Sequence, residues 1–104
     1  MPKPTVADLD NAFALYPGEL IFYGHHHPPS DMRGRARYIN PGSLGCAPIA
    51  EARFCLVDIA RRQWTVTHCS VPYNDALLYR AFEARAVPER TFIYQAFFGG
   101  RFGT

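Results

Sequence analysis

Two short apolar runs, each closed by glycine or proline, bracket three consecutive histidines, and this limits what residues 19–45 can become. Leu20 to Tyr23 is apolar and partly aromatic, the composition of a buried strand. Gly24 ends the run at a point that calls for a backbone bend or a close approach. His25, His26 and His27 follow at once. In an extended or tightly turned segment, His25 and His27 point at two neighbouring cations or clasp one from two sides. Pro28 and Pro29 stiffen the exit and forbid a helix there. A polar loop over residues 28–35 leads into a second strand over 36–40. Asn40-Pro41-Gly42-Ser43 then makes a second tight turn.

The flanking segments read more simply. Thr5 and Asp8 have the spacing of a short capping box, and Leu9, Ala12, Phe13 and Tyr16 recur at helical spacing, so a helix is predicted over residues 6–16. Pro17-Gly18 stops it. Phe54 to Ile59 and Trp64 to Val71 are β-rich and read as a hairpin, with the turn over Ala60 to Gln63. Trp64, Val66 and His68 share one face of the second strand; Thr65, Thr67 and Cys69 share the other. Asn74 is a good N-cap for a helix over residues 75–86, with Leu77, Leu78, Ala81, Phe82 and Arg85 on one face. Pro88 opens a last helix near 88–98, whose apolar side is Phe92, Ile93, Ala96 and Phe97. Gly99-Gly100 ends it, and Arg101 to Thr104 reads as a tail. The fold class expected is α+β, a mixed and mostly antiparallel sheet with three helices.

Composition narrows the function classes. A chain of 104 residues is one domain or less, with a modest core. Its 48% hydrophobic content suits a globular piece, and equally a piece that leans on something larger. A net charge of +2 gives no electrostatic case for a nucleic-acid or membrane partner. Arg33, Arg35 and Arg37 in one loop, and Arg61-Arg62 in a turn, read as solvated charges. Three cysteines with no C-x-x-C spacing argue against a disulfide framework and for a reducing, cytoplasmic setting. Cys55 and Cys69 are expected as small buried hydrophobes on adjacent strands. No signal peptide and no run of eighteen apolar residues is found.

The histidine loop and the Asn-Pro-Gly-Ser turn together resemble the C-terminal signature of the calcineurin-like metallophosphoesterases. Gly24-His25-His26-His27 is similar to that family's last metal motif, Gly-His-x-His at the end of a strand. Asn40 to Gly45 is similar to the Asn-Pro-Gly-Ser-x-Gly that follows in its bacterial phosphodiesterase-like branch. The likeness continues through Val71 to Asn74 and Val87 to Arg90, and covers the second half of the family's fold, a four-layer α/β/β/α sandwich. It implies a metal-dependent hydrolase: two cations about 3.5–4 Å apart activating a water that attacks a phosphomonoester or phosphodiester. By the same resemblance His25 serves one metal and His27 the other, the metals being Mn, Zn, Fe or Ni. His26, at the variable position, offers an added ligand or a phosphate contact.

Each residue also has a plainer reading. Without other ligands the histidines read as a surface cluster, and Asn40, Gly42 and Ser43 either build a rigid turn or wall a substrate cleft. His68 reads as a lone sheet histidine, Trp64 and Tyr73 as core or edge aromatics. Cys46 lies near the turn without a base to make it a nucleophile.

The family's other metal motifs, Asp-x-His, Gly-Asp and Gly-Asn-His, do not occur in these residues. Two imidazoles alone make a weak, open site. The chain is therefore expected to be a single partial domain over 1–104, inactive by itself, with a phosphoester as the substrate of the complete enzyme. Its expected partner is a second copy in a homo-oligomer or a complementing N-terminal half. The alternative is a non-catalytic oligomeric interaction module that retains the motif and at most binds a metal between subunits.

Overall fold

In the computed structural model, which describes residues 2–102, the helix named by the capping box forms as α1, Val6–Ala12. The Thr5 side chain accepts from the Asp8 amide, and the Asp8 carboxylate accepts from the Thr5 amide at 2.8 Å. The helix is shorter than its apolar spacing predicts. Residues 13–15 form turns, and Leu15 and Tyr16 are exposed.

Three short strands make the first sheet: β1 (Leu20–Phe22), β2 (Ser30–Arg33) and β3 (Arg37–Asn40), in the order β1-β3-β2. β3 is parallel to β1 and antiparallel to β2. The expected polar loop over 28–35 thus contains a strand. Its sequence, Ser-Asp-Met-Arg, is that of an edge strand, with Met32 inward and two charges outward. As the middle strand, β3 is the buried one, and Tyr38, Ile39 and Asn40 are all 0% exposed. β1 is only half-buried, with Phe22 at an exposed position, because it forms the outer edge.

The helix α1 lies over the Tyr38 face. Leu9, Ala36 and Tyr38 form the core there, joined by Phe13, Ile21, Tyr23 and Met32. Gly34 permits this approach, since a Cβ at that position would fall 2.6 Å from both Asp10 Oδ1 and Val6 Cγ1. Tyr38 donates its hydroxyl to Asp10 at 2.6 Å, which holds the Asp10 carboxyl below the usual carboxylate range.

The predicted hairpin is longer and tighter than expected. β4 (Glu51–Ala60) and β5 (Gln63–Pro72) pair antiparallel throughout, from Glu51 opposite Pro72 to Ala60 opposite Gln63. The turn is two residues, Arg61 and Arg62, with φ of 50° and 66°. That is the primed geometry favoured by the strand twist, here carried by arginine rather than by glycine or asparagine. The outer half of the hairpin is largely exposed on both faces, with Leu56 and Ile59 among the exposed apolar residues. Cys55 pairs with His68 and Cys69 with Phe54, so the two thiols sit on opposite faces, half-buried and free.

Two helices close the chain, α2 (Ala76–Ala84) and α3 (Arg90–Phe98). Asn74 accepts from the Ala76 amide at 3.0 Å, one position earlier than a true N-cap, which is Asp75. The faces differ from expectation. Leu77 and Phe92 are exposed, and the shared core is Tyr94, Phe98 and Phe102, packed with Tyr79, Phe82 and Ile93. Aromatic rings 5.2–6.2 Å apart link these residues, most of them edge-on or tilted.

The expected tail is therefore structural as far as it is described. Phe102 is buried, and Arg101 forms an ion pair with Asp75, with Nε 2.7 Å from Oδ2. Arg101 also donates to the carbonyls of Phe98 and Ala47, and its guanidinium lies over the Phe98 and Phe102 rings. Gly103 and Thr104, the end of the expected tail, lie outside the described residues. The α+β class with three helices and mostly antiparallel pairing is what the chain adopts. No described helix is long and apolar enough to cross a membrane.

Candidate functional site

The histidine loop leaves β1 and crosses to β2 under the control of one buried side chain. Asn40, at the end of the central strand, donates its amide to the carbonyl of His26. Its Oδ1 accepts from the Gly42 amide at 2.9 Å. One fully buried residue thus fixes both the histidine loop and the Asn-Pro-Gly-Ser turn, although they lie 14 residues apart. Ser43 completes the turn, its hydroxyl accepting from the amides of Cys46 at 2.8 Å and Gly45 at 3.3 Å. The rigid-turn reading of Asn40 and Ser43 is the one these bonds describe.

Gly24 does not supply the bend expected of it. It has no close neighbour, and the positive φ falls instead on His25, at 80°. A non-glycine residue in that region stores strain, and such strain often marks a site. Here it turns an exposed histidine out of the strand direction.

All three histidines, with Pro28, Ala96 and Phe97, line one open cleft of about 400 Å³ between the loop and α3. His25 is exposed, and His26 and His27 are half-buried. The His27 ring lies 5.7 Å from the Phe97 ring, tilted by 57°, so α3 props it from the far side. A second cavity of about 380 Å³ adjoins through the shared wall of His27, Pro28, Ala96 and Phe97. Its other lining includes Cys46, Arg53 and Gln95, and no aspartate or glutamate.

The sequence reading passed over three of these residues. Arg53, on β4, fell just before the strand read over Phe54 to Ile59. Gln95 and Phe97 were placed only as helix residues. His68, expected to stand alone, sets its Nε2 3.3 Å from the carbonyl of Asn40 and, with Arg53, lines a third hollow beside the turn. None had a local signal, because the pairing register of β4 with β5 and the docking of α3 bring them in.

A metal finds imidazoles here but an incomplete donor set. No group of three or more His, Cys, Asp or Glu side chains among the described residues is placed to hold one ion. The residues present do not fit a dinuclear centre by themselves. No family model, curated protein or solved structure matches the chain.

Proposed function

We propose that this chain is the metal-ligand-bearing C-terminal segment of a calcineurin-like metallophosphoesterase, inactive until another segment supplies the remaining ligands. The observation that supports this most is the bond from the Asn40 side chain to the His26 carbonyl. It couples the two motifs that the resemblance links, and it keeps the histidines together on one accessible cleft. In this reading His25 and His27 would supply one imidazole to each metal. The carboxylate ligands such a centre needs would come from outside these residues.

Mn²⁺ titration followed by NMR tests the reading. The ring signals of His25 and His27 broaden first, and that of His68 later. Broadening of all four histidines in parallel, or none at millimolar Mn²⁺, overturns it.

One observation favours the interaction-module alternative. Leu15, Leu44, Ile59, Leu77 and Phe92 are each more than 60% exposed, apolar side chain that a covering partner would bury. A covering partner, whether a second copy or a complementing half, belongs to both readings. Metal binding by the histidines of the isolated chain separates the two.

A further inference from the structure

Four arginines are not exposed: Arg37, Arg53, Arg90 and Arg101. Three have carboxylate partners, Asp31, Glu83 and Asp75 respectively. The Arg53 guanidinium has neither a hydrogen bond nor an ion pair among the described residues, although its residue is half-buried. Its planar fork of donors, with no counter-charge from the described residues, suits a carboxylate or a phosphoryl group.

Its position is built rather than incidental. The Arg53 amide donates to the carbonyl of Ser43 at 3.1 Å, tying β4 to the turn. Gly42, with φ of 93°, lies directly against the arginine stem. A Cβ on Gly42 would fall 2.8 Å from Arg53 Cβ and 3.1 Å from Cδ. The glycine of the Asn-Pro-Gly-Ser turn therefore makes room for the stem of this arginine. The cavity that Arg53 lines also holds His27, Cys46 and Gln95, and lacks any carboxylate. At about 380 Å³ it accommodates a phosphoryl group with part of an organic substituent.

We infer that Arg53 is an anion-binding residue, and that the cavity it shares with His27 takes the phosphoryl group of a phosphoester. That the anion belongs to a substrate rests on the function proposed above; that the cavity binds a phosphate does not. Gly42 and Ser43 act through Arg53 as positioning residues. A guanidinium donating to a phosphate makes charge-assisted bonds, so losing it weakens binding about 10- to 100-fold.

The test is a calorimetric titration of inorganic phosphate into the chelator-treated chain. Saturable binding at one site is expected, weakened about 10- to 100-fold in Arg53→Met, which keeps the stem against Gly42. Gln95→Glu brings a carboxylate to the cavity from an exposed helix position, and weakens phosphate binding at least about tenfold by pairing with Arg53. This second variant decides the matter even if the first does not fold. Mn²⁺ affinity, measured on the same samples, stays within about twofold of the unmodified chain in Arg53→Met. Absence of saturable phosphate binding, or its persistence at full strength in Gln95→Glu, overturns the inference while leaving the metal reading to the Mn²⁺ result. Phosphate binding that depends on Arg53, in a chain whose histidines hold no Mn²⁺, upholds the anion site and removes the metallophosphoesterase reading.

Discussion

Asn40→Ala removes two bonds at once, the amide donated to the His26 carbonyl and the acceptor for the Gly42 amide. Asn40 itself is 0% exposed, so water cannot enter its place without rearrangement. Each backbone group left unpaired costs about 1–2 kcal/mol, a loss of about 2–4 kcal/mol in all. A domain of this size has about 5–15 kcal/mol in total, so the melting temperature falls by roughly 10–30 °C. Asn40→Asp is sharper, because it is isosteric and keeps the acceptor for Gly42. Its second oxygen, when ionised, faces the His26 carbonyl acceptor to acceptor; when protonated, it donates as the amide did. The introduced carboxyl therefore has a folded-state pKa above its unfolded value of about 3.9. Its favourable contribution is complete below that unfolded value and is lost as pH rises through the raised folded one. Circular dichroism melts from pH 4 to pH 8, with the unmodified chain as the reference at each pH, measure both variants. The Asp variant should approach the reference near pH 4 and fall well below it at pH 7–8. A loss under about 0.5 kcal/mol in Asn40→Ala, or a pH-independent deficit in Asn40→Asp, would refute the two-bond account.

Arg101→Ala should lower the unfolding free energy in urea by about 2–4 kcal/mol, since it strands Asp75 and frees two carbonyls; a change under about 1 kcal/mol counts against that. Asp10, held low by the Tyr38 hydroxyl and the Arg35 amide, and Asp31, held low by Arg37, contribute stability that is present above the unfolded carboxylate pKa and lost as pH falls through the folded values. The melting temperature should thus fall below about pH 4. Tyr38→Phe should flatten part of that acid limb, and an unchanged slope would remove Asp10 from the account.

Where a signal was local, the sequence carried it. Thr5 and Asp8 sit three apart, and a capping box needs nothing else. The hairpin strands and the α+β class were legible for the same reason, whereas the bond from Asn40 to the histidine loop spans 14 residues and had no local signal. β2 was not, because Ser30-Asp31-Met32-Arg33 becomes a strand only by pairing with β3. The inward faces of α2 and α3 were read in part: Phe82 and Ile93 pack inward as expected, but Leu77 and Phe92 do not, being as apolar as Tyr79 and Tyr94. What decides between them is where Phe102 packs, and that is tertiary information. Arg53 had no signal at all: its meaning lies in a missing partner, which no string of letters displays.

The bond from Arg101 to the Ala47 carbonyl spans 54 residues. On the ribosome, the Arg101 tie from the end of α3 to Ala47 forms only after Arg101 has emerged, later than the histidine loop and the turn that anchors it. The cleft beside the histidines thus gains this tie only once Arg101 is made, and a stall in translation shortly before it would leave a loop already shaped beside a wall not yet bonded to Ala47.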